Sequence, residues 1–239
     1  MLRALPLLVL VMLAGQAAAQ EITLDLGNEG ALATRSIQLI TLITLLSLVP
    51  GLAVMVTCFP FIVTVLSILR QAIGLQQSPP NMLIVSLALF LTWYVMDPVF
   101  TEAWTQGLQP LTAGQTDLQT ALPATIAPFR VFMAARLDPQ TFDTLQALRP
   151  GAVRGPMVDA SLSVLVPSFL LSEIQRAFEI GFVIFLPFLI IDLVVAAVLM
   201  SMGMMMVPPA IVSMPFKLAF FVVADGWSLI SGALVRSYF

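Results

Sequence analysis

Hydrophobic positions fall into two long blocks separated by a polar middle. The first block, residues 37–69, contains no charged residue. As one helix it would be about 50 Å long at ~1.5 Å per residue, against a bilayer hydrocarbon core of about 30 Å. It must therefore break or run past a bilayer, and Pro50-Gly51 and Pro60 are the expected break points. Gln38, Thr41, Thr44 and Ser47 recur at every third position, a row that drifts around the helix and covers about half its surface. Such a half-polar surface suits contact with other helices or water more than with lipid. Plain bonding of the Ser/Thr hydroxyls back to helix carbonyls explains the row equally well. Arg70 ends the block, and Gly74, Ser78, Pro79, Pro80 and Asn81 predict a turn. A second apolar run, Met82–Met96, is closed by Asp97-Pro98, so the two runs predict a helical hairpin.

The polar middle, residues 97–159, reads differently. It holds the acids Asp97, Glu102, Asp117, Asp138, Asp143 and Asp159 and the arginines Arg130, Arg136, Arg149 and Arg154. Thr112–Thr120 is turn-like, while Ile126–Ala135 and Pro139–Leu148 predict short amphipathic helices. The arginines favour a cytoplasmic side by the positive-inside rule. That rule is weak for a long loop, and the N-terminus argues the opposite.

The second block, 160–239, opens with Leu162–Leu171, interrupted by Pro167. Glu173, Arg176 and Glu179 follow at i, i+3 and i+6 on one side of a helix, where opposite charges can pair. Phe178–Met200 is the strongest spanning candidate, with a kink expected at Pro187. Asp192 lies inside it. A carboxylate at membrane depth is costly, so it is normally paired, protonated or facing water. Its natural partner is Lys217, the only lysine. If Phe178–Met200 and Ile211–Val235 form a hairpin, the two can pair within a chain or between copies. Otherwise Asp192 lies near the helix end and meets only water. Asp225, before Gly226-Trp227, poses the same question. Between these segments lies Val198–Pro209, with five of the chain's 13 methionines. Methionine is unbranched and polarisable, so it fills irregular gaps and repacks easily. Gly203 loosens the backbone, and Pro208-Pro209 stop a helix from running on. The stretch reads as a soft collar between two membrane-type helices, or as a greasy turn packed in a bundle.

Composition turns these helices into a membrane protein. Of 239 residues, 59% are hydrophobic and 10% charged, with mean hydropathy +1.02. An ordinary soluble domain is about 45–50% apolar and about 25% charged. The formal net charge of −3 points to no partner, and no basic run suggests nucleic acid. Histidine is absent, and Cys58 is the only cysteine, which excludes an intrachain disulfide and a CxxC site. No phosphate-cradling or dinucleotide-binding glycine pattern occurs, so neither an enzyme nor a cofactor or metal is expected. Met1–Ala19 has the three parts of a secretory signal: Arg3, the short apolar run Leu5–Leu13, and small residues Ala17-Ala18-Ala19. Cleavage is expected between Ala19 and Gln20. That places the tail, residues 20–36 with Glu21, Asp25 and Glu29, outside the cytoplasm. After a two-span hairpin in 37–96, the polar middle is extracytoplasmic as well. The chain thus predicts an all-α fold of membrane-associated hairpins with a polar extracytoplasmic middle.

Specific motifs add a family. Leu69-Arg70-Gln71-Ala72-Ile73-Gly74 followed by Pro79-Pro80-Asn81 resembles one signature of the FliP family, the flagellar members of the type III secretion export gate. Pro187-Phe188-Leu189-Ile190-Ile191-Asp192-Leu193-Val194, the run from Met200 to Pro209, and Pro215-Phe216-Lys217-Leu218 resemble the second. Asp225-Gly226-Trp227 follows in the expected order. The resemblance runs from about Ile37 to the C-terminus, with the middle segment matching mainly by position. It implies a helical, funnel-like gate of several copies together with FliQ-like and FliR-like subunits, working with FlhB-like and FlhA-like export components. Such a gate sits in the bacterial inner membrane at the flagellar basal body. It passes unfolded flagellar subunits, driven by the proton motive force and an ATPase complex. The resemblance assigns the methionine loop, 200–209, the role of a gasket, which here falls on Met204, Met205 and Met206, with Met202 beside them. It also implies that helices of transmembrane character are largely lifted from the bilayer in the assembly, and that Asp192 and Lys217 pair between neighbouring subunits. Relatives commonly carry Thr-Ser-Phe-Thr-Arg where this chain has Thr57-Cys58-Phe59-Pro60-Phe61, so the basic residue is missing here. Virulence-type relatives share the methionine loop but usually lack a cleavable signal and a long polar middle, which favours the flagellar reading over an injectisome. Clustered thioethers also suit Cu(I), but a copper transporter is disfavoured by the lack of histidine and of a second methionine cluster. A membrane-embedded enzyme using Asp192 and Glu179 lacks a nucleophile nearby in sequence.

Overall fold

The computed structural model describes residues 29–75, 79–149, 155–204 and 206–239. The expected signal sequence with its expected cleavage point Ala19/Gln20, most of the N-terminal tail, Ser78, Arg154 and Met205 lie outside the described residues. Among these there is helix and no strand, as the apolar runs predict. The chain divides into one unit up to Leu48 and another from Val49 onward.

Helix α1, Glu29–Met55, passes straight through Pro50. Its described side chains from Arg35 to Ala53 are exposed. The hydroxyls of Thr44 and Ser47 donate to the carbonyls of Ile40 and Thr44, each at 2.7 Å. Those two members of the polar row are therefore spent on their own helix, which weakens the row as a docking surface. The break falls at Thr57-Cys58, not at Pro50-Gly51. Pro60 then sits in the first turn of α2, Phe59–Ile73, where a missing N–H costs nothing.

Helix α2 is the centre of the second unit. Its buried face, Phe61, Ile62, Val65, Leu66, Leu69, Ala72 and Ile73, follows the helical repeat. It packs most extensively on α7, the helix Leu162–Ser201, then on α3, the helix Asn81–Ala103. Helix α3, Asn81–Ala103, runs past the expected stop at Asp97-Pro98 and past the block boundary at 96. A π-turn, Trp104–Leu108, and the short α4, Gln109–Thr112, carry it on. Helix α5, Leu118–Arg136, starts eight residues before the predicted Ile126 and is capped by Asp117, which accepts the Thr120 N–H at 3.2 Å. Helix α6, Pro139–Ala147, is capped in the same way by Asp138, from the Thr141 N–H at 2.8 Å. Met133, Leu137, Phe142, Val164, Leu165 and Phe169 form a smaller core beneath α5, α6 and the start of α7.

Helix α7, Leu162–Ser201, is one uninterrupted element of 40 residues that absorbs both Pro167 and Pro187. At ~1.5 Å per residue it is about 60 Å long, twice the hydrocarbon thickness, so it cannot lie wholly within a bilayer as a straight span. Helix α8, Pro209–Val223, folds back on α7, and α9, Gly226–Arg236, bends away from α8 by 62°. At that elbow Asp225 adopts a left-handed φ of 49°. The elbow also needs Gly226, since a Cβ there would lie 2.2 Å from the Phe221 ring. Three helical stretches among the described residues are long and apolar enough to cross a membrane, Arg35–Met55, Asn81–Thr112 and Leu162–Ser201. The bent pair α8–α9 makes a fourth if it counts as one span.

Candidate functional site

The methionine turn is fixed at its base. Helix α7 ends in two reciprocal bonds: Gly203 N–H to the Met200 carbonyl at 3.0 Å, and Met204 N–H to the Leu199 carbonyl at 3.0 Å. This is the helix-closing arrangement that requires a left-handed residue, and Gly203 supplies it with φ 76°. At the other end, Pro209 occupies the first position of α8, where its fixed φ suits helix entry. Between these anchors the side chains are not packed. Met202 is 67% exposed, Met204 42% and Met206 98%. The described methionines project from a rigid base, and Met205 lies outside the described residues. Beside them an apolar groove of about 570 Å³ runs between α7 and α8, lined by Ile191, Val195, Leu199, Met202, Met204 and Phe216.

On α7 before the methionines, Asp192 meets Lys217 within the chain, whereas the resemblance implied a pair between neighbouring subunits. Lys217 Nζ donates to Asp192 Oδ2 at 2.6 Å and to the Ala72 carbonyl at 3.1 Å. Ser213 Oγ donates to Asp192 Oδ1 at 2.5 Å. The lysine is buried, whereas the aspartate side chain is 33% exposed. The pair therefore ties α7 to α8 and, through Ala72, to the end of α2. It fixes how the hairpin that carries the turn leaves the core. Asp225, by contrast, makes no ion pair among the described residues; its carbonyl accepts the Leu229 N–H at 3.1 Å.

A second acid on α7 is sealed completely. Glu173 is 0% exposed. Its Oε1 accepts from Arg136 Nε at 3.0 Å, and its Oε2 accepts from the Tyr238 hydroxyl. The i, i+3 pairing expected between Glu173 and Arg176 does not form, because Glu173 turns inward and Arg136 reaches it from α5. Glu179 accepts instead from Gln175. Phe61 is fully buried and meets Tyr238 edge-on at 5.6 Å. Arg136 lies 5.9 Å from the Phe61 ring centre, so the cation of this region comes from α5 rather than from α2. The one sequence signal for this junction was an acid inside an apolar run. Its partners lie 37 and 65 residues away, and no local spacing points to them.

Nothing in this geometry is a reaction centre. The arrangement is an anchored hairpin that presents unpacked thioethers next to an open apolar groove.

The comparisons with known proteins agree with the motif reading. A family model described as the FliP family matches residues 42–234. A protein of Caulobacter vibrioides named flagellar biosynthetic protein FliP is 48% identical, covering 95% of this chain and 86% of its own length. One of the same name from Agrobacterium fabrum is 48% identical over 96% of each chain. One from Bacillus subtilis is 41% identical over 85% of this chain and 92% of its own.

Proposed function

The chain belongs to the FliP family, and on that premise we propose that it is a core subunit of the flagellar type III protein export gate. It is a structural component, not an enzyme. In this reading several copies assemble with FliQ-like and FliR-like subunits, next to FlhB-like and FlhA-like components, in the bacterial inner membrane at the flagellar basal body. Unfolded flagellar proteins are the cargo. The signal sequence is removed between Ala19 and Gln20, which leaves the N-terminal tail in the periplasm with the polar middle. The block boundaries at 36, 96 and 159 then mark tail, first hairpin and extracytoplasmic segment.

The observation that supports a gasket is the exposure of Met202, Met204 and Met206 on a turn whose backbone is closed at both ends. A conduit for many sequences has to seal against ions at rest and yield to any passing chain. Flexible apolar thioethers do both, because their contacts depend little on partner shape. Asp192 and Lys217 hold the hairpin below that ring.

Deleting Met204–Met206 should make cells carrying the assembled gate leak small ions while export continues in part. Unchanged membrane conductance in the deletion strain would reject the gasket.

A further inference from the structure

Glu173 and Arg136 are both removed from water, and their mutual contact does not satisfy either fully. Glu173 has a second oxygen to fill. Arg136 has an Nη2 that is buried without a hydrogen-bond partner. One residue answers both. The Tyr238 hydroxyl donates to Glu173 Oε2, and the Tyr238 ring lies with its centre 4.0 Å from the Arg136 guanidinium carbon. A cation over a ring face is attracted by the ring quadrupole, so the ring covers the guanidinium that hydrogen bonds leave open. The adjoining Ser237 carbonyl accepts from Arg136 Nη1 at 2.7 Å. Phe132 stacks on the Tyr238 ring at 6.0 Å, and Phe61 meets its edge. The chain that follows α9 thus reaches back to residues on α2, α5 and α7.

We propose that Ser237-Tyr238 is a latch: by closing over the buried Arg136–Glu173 pair it holds α9 against the core and keeps that pair out of water. It goes beyond the export-gate reading and does not depend on it. The latch is separate from the Asp192–Lys217 tie, which holds α8. Opened, it exposes two charges that have no other partner for the freed oxygen and ring face. Closed, it shields the start of α2, where Cys58 lies one turn before Phe61 and is fully buried.

Cys58 is the sole cysteine of the chain and therefore a native reporter. It is fully buried, so in the closed state it is hidden from reagents. The full chain in detergent micelles is treated with N-ethylmaleimide, and modification of Cys58 is followed by mass. The unaltered protein should react slowly. Tyr238→Ala should react at least about tenfold faster, since it loses a hydrogen bond to a charged group together with the ring cover. Tyr238→Phe keeps the ring and should fall between the two. In a Glu173→Gln background, exchanging Tyr238 for Phe should add little, because the charge served by the hydroxyl is gone. Phe239→Ala, altered next door at a residue 79% exposed, should label at the native rate. Equal labelling of Tyr238→Ala and the native chain overturns the latch, and so does equal acceleration by Phe239→Ala. If Tyr238→Ala does not accumulate, Tyr238→Phe decides: faster labelling supports the latch and a native rate overturns it. Labelling reads the fold and not transport, so its outcome is independent of whether the chain proves to be an export-gate subunit.

Discussion

Helix α7 carries three acids, and the fold treats two of them, Glu173 and Asp192, in opposite ways. Glu173 is fully buried, and its partners come from α5 and from beyond α9. Asp192 keeps a third of its side-chain surface open, and its partners come from the next helix alone. The surroundings differ in the same sense. Around Glu173 the aromatic rings of Phe61, Phe132 and Tyr238 close the site. Beyond Asp192 the hairpin ends in exposed methionines and an unfilled groove. One half of α7 is completed by its own chain. The other half presents surface that a single chain leaves uncovered. A stable base with an unfinished mouth is what a subunit needs if its working part is made by assembly.

The largest effect should come from opening the completed half. Glu173→Ala leaves Arg136 buried and uncompensated, at a cost of about 3–5 kcal/mol. Glu173→Gln should cost less, since the amide oxygen still accepts from Arg136 Nε and its NH2 can donate to the Tyr238 hydroxyl oxygen. The check is the level of folded protein in membranes and its unfolding midpoint in detergent. If Glu173→Ala unfolds no more easily than Asp192→Ala, the contrast between the two acids is wrong.

Next comes the open half. Lys217→Ala should lose about 1–3 kcal/mol, because water can reach Asp192 and partly replace the lost partner, and Asp192→Ala a similar amount, because the buried Lys217 keeps the Ala72 carbonyl as an acceptor. Both should lower the yield of assembled complex more than that of the subunit itself. Exchanging the two residues should restore part of that yield. A normal complex yield from either single variant would count against the pair as an organiser of the hairpin.

How much of this was legible in the sequence depends on how far apart the causes lie. The all-α class, the hairpin around Pro79-Pro80 and the partner for Asp192 were readable, since each rests on neighbouring segments or on scarcity, Lys217 being the only lysine. The methionine turn was readable for its ends, where Gly203 and Pro209 dictate local backbone. The proline breaks were misjudged at Pro50, Pro98 and Pro167, all of which lie inside continuous helices, as does Pro187, where a kink was expected. A helix packed on others, or long and apolar, can lose one hydrogen bond and persist, so proline alone is a weak stop there. The Glu173 junction was not legible. Its i, i+3 neighbour offered a local pairing, and burial against α2 overrode it.

A smaller effect tests whether the mouth stands on a rigid base. Gly203→Ala forces an L residue into φ 76°, with an expected cost of about 1–2 kcal/mol. The space around Gly203 is open, so strain is the only cause. Gly203→Asn, which tolerates the left-handed region, should recover much of the loss. The readout is conductance at rest together with unfolding. A Gly203→Ala variant that is sealed and as stable as the parent would mean that the turn's backbone does not set the methionines.

The smallest effect lies away from Glu173 and Asp192 and separates sealed from solvated carboxylates. Asp138 caps α6 at the surface of the polar middle. The Thr141 N–H, and then the Thr141 hydroxyl, hold its carboxyl below the usual range. A group whose folded value is depressed contributes stability above its unfolded value and loses it as pH falls through the folded one. Protection of the first turn of α6 should therefore persist at neutral pH and fade only below about pH 4. Hydrogen exchange across α6, corrected for intrinsic rates, is the measurement. In Asp138→Asn the cap keeps its acceptor but loses its charge, so the acid-dependent step should vanish while protection at neutral pH changes little. A step of the same size in the asparagine variant would place the acid sensitivity of this segment elsewhere. The exposed caps would then cease to be the first carboxylates of the fold to yield to acid.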